Sequence, residues 1–316
     1  MKWYFLFSGN NKRLGGAELS MSHLAQSLDE VYYSFLRAPK TFTGAKLIPF
    51  SLLVKSEYYQ FFGLRALLFS FVMPHCNSNN RFVAIRGEDN FRSTRNTLIY
   101  RCLKPWIKGW ISNSISAIDV WDSRGEIRKS DSFLVRNFVD IHVEELKSQP
   151  LYRKDRIIVV ANEKAGKGLE KLCKFQDKLR GLGLDLEIDV FGVRNYSVFP
   201  IDFKEEKSKI YLKGWLDNIH EVMIHYDLML SLSDSEGLPH SMLVARQMGL
   251  PIFSLKAGDI GCLVKNGSNG YVRENIHELV MDIFAFYNDR ILLDSENACD
   301  EFSREVIVKF WTRFQV

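Results

Sequence analysis

The chain has 316 residues, 46% hydrophobic and 25% charged, with a net charge of +4. That suits two cores of roughly 150 residues each and excludes a disordered chain. Cys76, Cys102, Cys173, Cys262 and Cys299 are scattered and odd in number, and the seven histidines lack ligand spacing. These patterns argue against a disulfide scaffold and against a zinc site.

In chain order, the opening apolar run 1–7 breaks at Ser8-Gly9-Asn10-Asn11. It is too short for a signal-peptide core and reads as a first buried strand. Further strands are expected at 31–36, 82–86, 109–113 and 133–136, with helices at 15–28, 56–72, 93–105 and 115–122. The most lipid-like stretch, 61–73, is interrupted by Arg65. It falls short of the ~20 residues that a spanning helix needs, which places the chain in the cytoplasm. A polar, proline-containing run at 148–155 suits a linker. Beyond it, strands at 156–161, 185–191, 209–213, 227–232 and 251–254 alternate with helices at 166–181, 217–225, 239–248 and 275–288. This alternation predicts an α/β protein with two parallel-sheet domains, 1–150 and 151–316. Ligands in such sheets bind beyond the carboxyl ends of the strands, here in a cleft between the domains.

Charge is unevenly spread. Residues 1–150 carry 20 Lys/Arg against 13 Asp/Glu, a net +7, whereas 151–316 carry 22 against 25, a net −3. A basic first half suits anionic lipid headgroups or a phosphorylated acceptor, and equally an ordinary solvated surface. The aromatic and apolar stretch 50–73 either rests on a membrane or forms a core helix plus strand. Nothing in the pattern calls for nucleic acid.

Several glycine-bounded loops carry candidate chemistry. Gly15-Gly16-Ala17-Glu18 opens a helix after the first strand, where free amides and the helix dipole favour phosphate. A Gly-Gly turn kept for its geometry alone would look the same. Lys164 and Lys167 lie in a loop after the strand 156–161, where a lysine is a natural diphosphate counter-ion or a solvated turn residue. After the strand 227–232 come Asp234-Ser235-Glu236-Gly237-Leu238-Pro239 and a new helix. Glu236 there can accept hydrogen bonds from sugar hydroxyls while helix-start amides receive phosphate, or it can simply complement the dipole. Pro239 suits the first helical turn. Lys256-Ala257-Gly258-Asp259 forms another such loop after a strand.

Taken together, these residues resemble glycosyltransferase family 4, and the likeness spans most of the chain. Gly15-Gly16-Ala17-Glu18 is similar to that family's first-helix glycine motif. Ser112-Asn113-Ser114 and Arg136-Asn137-Phe138-Val139-Asp140 resemble its pre-linker region. Lys167-Gly168 resembles the phosphate-binding lysine and its glycine. Glu236-Gly237-Leu238-Pro239 with Gly249-Leu250-Pro251 resembles its signature, and Gly258-Asp259-Ile260 and 266–271 follow in the same order.

The resemblance implies the GT-B fold, two facing Rossmann-like domains, with the last helix packing back towards the first. It implies metal-independent transfer of a sugar from a nucleotide-sugar donor to a saccharide or lipid-linked acceptor, with retention of configuration. No cofactor is expected. Surface polysaccharide, lipopolysaccharide or glycolipid synthesis, at the inner face of the membrane through the N-terminal domain, would be its setting. The resemblance gives Glu236 as the catalytic contact to the donor sugar. Arg86 and Glu88 are added as catalytic candidates on the acceptor side from their own place at the end of the strand 82–86, not from the family pattern. Donor contacts would come from Gly15, Gly16, Lys164, Lys167, Glu236, Gly237, Leu238 and Asp259.

Three positions depart from the family pattern. Val244 stands where a ribose-holding glutamate is usual, and Asn162 where an arginine precedes the phosphate lysine. The stretch Ala84-Ile85-Arg86-Gly87-Glu88-Asp89 lacks the usual pocket histidine. Lys164 is the expected substitute for the missing arginine. Glu88 or Asp89 could take an acceptor proton, or pair with Arg86 structurally. A catalytically silent GT-B binding module or another nucleotide-sugar enzyme, such as an epimerase, are the alternatives.

Overall fold

A computed structural model describes residues 2–7, 21, 24, 31–35, 46–47, 53–88, 94–139, 155–195, 197, 199, 208–216, 218–288, 293 and 302–312. The chain divides into two compact units, Met1–Asp140 with Cys299–Val316, and Ile141–Ala298.

The first unit is built on β1 (Trp3–Phe7), β2 (Val31–Phe35), β3 (Lys46–Leu47), β4 (Tyr58–Phe62), β5 (Arg81–Ile85), β6 (Gly109–Ser112) and β7 (Ser132–Leu134). They pair in the order β3-β2-β1-β4-β5-β6-β7, every pair parallel. Side chains alternate faces along a strand, so β1 feeds two cores at once. Trp3, Phe5 and Phe7 join one cluster, while Tyr4 and Leu6 join the other. A strand covered on both faces must be apolar throughout, which is why Trp-Tyr-Phe-Leu-Phe does not alternate. The helix Arg304–Thr312 belongs to this unit, with the Trp311 ring 4.8 Å from Trp3 and 5.7 Å from Phe5.

The single helix expected at 56–72 is corrected by the structure. Tyr58–Phe62 is a strand, followed by a helix at Leu64–Phe69 and a 3₁₀ turn at Ser70–Val72. An aromatic run fits a pleated surface, and here it is inserted between β1 and β5. Gly63, at φ 91°, ends the strand in a conformation that favours glycine. β3 also lies outside the predicted elements. Of the helix expected at 15–28, Met21 and Leu24 are described, and both are helical and buried.

The second unit holds β8 (Arg156–Val160), β9 (Glu187–Phe191), β10 (Ile210–Gly214), β11 (Leu228–Ser231), β12 (Ile252–Leu255) and β13 (Gly270–Arg273). Their order is β10-β9-β8-β11-β12-β13, again all parallel. Helices Leu172–Gly181 and Ile276–Tyr287 pack on it, burying Phe175, Leu179, Leu279 and Ile283 in one core. A buried charge cluster ties the strands together. Asp189, fully buried on β9, receives Arg156, Lys213 and the Tyr226 hydroxyl. Burial and that carboxylate push the Tyr226 phenol well above its ordinary range. β13 and the short helix Ile260–Leu263 were not predicted from the pattern.

One core residue conflicts with its surroundings. Gln60 on β4 is fully buried beside Phe5 and Phe82, and neither its amide nitrogen nor its oxygen has a hydrogen-bond partner among the described residues. An unsatisfied buried amide is costly, so Gln60→Leu should raise stability by about 1–2 kcal/mol, read as a higher urea midpoint at unchanged slope.

Candidate functional site

In the second sheet the strand order reverses between β8 and β11. The loops leaving these two strands therefore turn to opposite sides and open a crevice at their carboxyl ends. The loop after β8 supplies Lys167 and the loop after β11 supplies Glu236. The Lys167 ammonium lies 2.7 Å from both Glu236 carboxylate oxygens. Both side chains are mostly covered, 22% and 12% exposed, so their charges meet in a poorly solvated place.

Backbone contacts hold this geometry. Gly168 has φ 69°, and a Cβ there would meet the Leu232 carbonyl oxygen at 2.0 Å. The Asp234 amide donates to the Gly166 carbonyl at 2.9 Å. Lys171 adds a second tie, its ammonium reaching the Leu232 carbonyl at 3.2 Å and the Asp234 carboxylate. The loop after β12 closes the other side. Gly258, at φ 52°, would carry a Cβ 2.4 Å from the Glu236 carbonyl oxygen, and the Asp259 amide donates to the Gly237 carbonyl at 3.0 Å. Asp259, Gly237 and Leu238 are all buried.

The helix His240–Gln247 begins directly after this loop. Pro239 is its N-cap, φ −67° and ψ 125°, rather than a first-turn residue, and makes no side-chain cap bond. Its first turn adds a positive dipole end beside Glu236. Such a place, one lysine plus helix-start amides, suits an anionic oxygen, while a carboxylate beside it accepts hydroxyl donors.

The structure thus brings Lys167, Glu236, Gly237, Leu238 and Asp259 together. Lys164 lies in the same loop but is exposed, and its amide is held by the Asn162 side chain at 3.2 Å. Val244 is buried in the helix. Gly15, Gly16 and Asp89 lie outside the described residues. Lys171 and Asp234 were missed by sequence reasoning. Their pairing spans 63 positions, and the only signal was a second lysine one helical turn beyond Lys167.

Arg86 and Glu88 belong to the first unit, at the carboxyl end of β5. The Arg86 guanidinium donates to the Asn137 side chain at 2.9 Å and lies 5.1 Å from the Phe62 ring centre. The Glu88 carbonyl accepts from Arg124 at 3.1 Å, and the Gly87 carbonyl from the Trp121 indole at 3.1 Å. Arg136 donates to the Asn113 carbonyl at 3.0 Å, and Ser114 caps the helix Ile115–Ser123 through the Ala117 amide. The pre-linker residues therefore tie the ends of β5, β6 and β7 together.

No family model matches the chain. It is similar to the UDP-Gal:alpha-D-GlcNAc-diphosphoundecaprenol alpha-1,3-galactosyltransferase of Escherichia coli, 26% identical over 110 residues, 35% of this chain. The match spans 27% of that relative's length. Among solved structures, Anabaena Alr3699/HepE in complex with UDP-glucose superposes with a TM-score of 0.76 at 15% identity, covering 98% of each chain. The apo form of the lipopolysaccharide outer core galactosyltransferase WaaB gives 0.65 at 14% identity, over 99% of this chain and 98% of that one. These likenesses, with the two parallel sheets, show an α/β chain of two Rossmann-like domains, the GT-B fold class.

Gly168→Ala should destabilise the second unit by about 2 kcal/mol or more, because a side chain adds strain and a backbone clash together. A thermal melt compared with exposed Gly183→Ala, which shares a positive φ but meets nothing within 4 Å, separates the two causes.

Proposed function

We propose that the chain is a glycosyltransferase that moves a sugar from a nucleotide-sugar donor to an acceptor hydroxyl, with retention of anomeric configuration. The observation that carries this reading is the Lys167–Glu236 pair at the carboxyl ends of β8 and β11, beside the helix start after Pro239. In this reading the donor diphosphate takes over Lys167 and the helix-start amides. The Glu236 carboxylate then accepts hydrogen bonds from the sugar. The bond between the anomeric carbon and the diphosphate oxygen breaks, a bond to the acceptor oxygen forms, and the acceptor hydroxyl loses its proton. Negative charge grows on the leaving diphosphate, and Lys167 with the amides stabilises it as it grows. Since these groups supply the positive field, we propose that transfer is metal-independent.

The donor reading is supported by the neighbours, one bound to UDP-glucose and one named for UDP-Gal. We therefore propose a UDP-hexose as donor. The relative named for a diphosphoundecaprenol acceptor supports a glycolipid or saccharide acceptor, in surface polysaccharide or lipopolysaccharide synthesis. Arg86 and Glu88 are assigned to the acceptor side, with Glu88 receiving the acceptor proton. Val244 leaves no carboxylate for the ribose, so nucleotide recognition must use other contacts.

Titration with nucleotides and UDP-sugars should show saturable binding. Binding to none of them would sink the enzyme reading in favour of a silent module. Glu236→Ala should lower turnover about tenfold or more, and Lys167→Ala should weaken donor binding about ten- to hundredfold, the loss of one charge-assisted contact. Lys164→Ala should weaken binding less; unchanged affinity would remove Lys164 from the donor site. Glu88→Gln should lower kcat at unchanged donor affinity, and turnover should persist in a chelator.

A further inference from the structure

The loops that frame the Lys167–Glu236 pair carry no surplus of positive charge. After β8, residues 161–171 hold three lysines and two glutamates; after β11, 232–239 hold Asp234 and Glu236; after β12, 256–259 hold one charge of each sign. Four lysines therefore face five carboxylates. Some of these are engaged elsewhere, Glu163 by the Arg194 amide at 2.9 Å and Lys256 by Glu274 at 2.7 Å. A diphosphate entering such a place meets repulsion as readily as attraction, so what counts is where each remaining carboxylate is held.

Asp234 is the carboxylate whose placement matters most. Its amide donates to the Gly166 carbonyl at 2.9 Å, so its backbone lies beside the residue that precedes Lys167. It also stands two positions before Glu236, which already meets the Lys167 ammonium with both oxygens. Its side chain nevertheless goes to Lys171, four positions beyond Lys167. The Lys171 ammonium is fixed from a second side by the Leu232 carbonyl at 3.2 Å, the same carbonyl against which Gly168 is packed. Lys171 is 23% exposed and Asp234 52%. An ion pair this open adds little to folding stability. Its effect falls on the charge that a ligand meets.

We propose that Lys171 is a positioning residue for the donor site. It neutralises Asp234 and keeps that carboxylate off Lys167, so that the Lys167 ammonium answers only to Glu236 and the incoming diphosphate. The inference rests on the glycosyltransferase reading and adds to it the pair that sets the local charge. Without Lys171, Asp234 stands as a bare carboxylate beside a long, flexible lysine, competes for its ammonium and repels the diphosphate. Without the Asp234 charge, Lys171 is released and adds a positive charge to the same rim. The two losses therefore act with opposite sign on an anion. A tie that merely held the loops together would fail in the same direction from either end.

Calorimetric titration of the full chain with UDP tests this. Asp234→Asn should tighten UDP at least ~3-fold, and Lys171→Met should weaken it at least ~3-fold. The double variant should return to within about twofold of the parent. UDP-glucose should shift in step with UDP, because the charge bears on the diphosphate that both carry, and the shifts should shrink in added salt. Circular dichroism melts check that each variant is folded. If Lys171→Met does not fold, the isosteric Asp234→Asn decides alone, and tightening is the supporting result. Single variants that both weaken UDP, no shift in either, or a double variant no better than Lys171→Met would overturn the inference while the glycosyltransferase reading stands. A parent that binds neither UDP nor UDP-glucose would sink both.

Discussion

The candidate site exists because parallel strands send every outgoing loop to the same edge, and because the order of the second sheet reverses once. Those two facts set 69 residues of sequence aside and place the Lys167 ammonium on the Glu236 carboxylate. Everything fine-grained follows from keeping the two loops close. Gly168 lets one backbone touch the other, Lys171 ties the second loop by its carbonyl and carboxylate, and Gly258 lets a third loop press on the first two. The chemistry-bearing side chains are few. Most of the local sequence is occupied in bringing backbones within contact, which explains why the segment is so rich in glycine.

The same economy governs the first unit. Arg86, Asn137, Arg136 and Asn113 are polar residues at the ends of apolar strands, and they are spent largely on one another and on carbonyls. Polar groups at strand ends lock three strand termini into one geometry, a precondition for holding any ligand group in a fixed position. A side chain at these strand ends can bind a ligand only with the donors and acceptors that the bracing leaves over.

Much of this was legible in the sequence, for identifiable reasons. Strands such as Arg156–Val160 and Glu187–Phe191 are bounded by turn residues and separated by helix-length spacers, so their type and order could be read. Lys167 and Glu236 stood out because each follows a strand and adjoins a glycine. Tyr58–Phe62 was misread because a lone glycine, Gly63, separates Tyr-Tyr-Gln-Phe-Phe from Leu64–Phe69, and periodicity cannot divide so short and largely apolar a run. The Lys171–Asp234 tie was invisible for a different reason. Surface lysines and aspartates carry no mark of their partner until the fold has brought them together.

The return of Arg304–Thr312 to the first unit has a consequence for how the chain is made. Domains generally fold in the order in which the ribosome releases them. Here the second unit, a single uninterrupted segment, is fully released while the first still lacks the helix that covers Trp3 and Phe5. The unit that is begun first is therefore completed last. During that interval its aromatic face is open to chaperones and to other nascent chains.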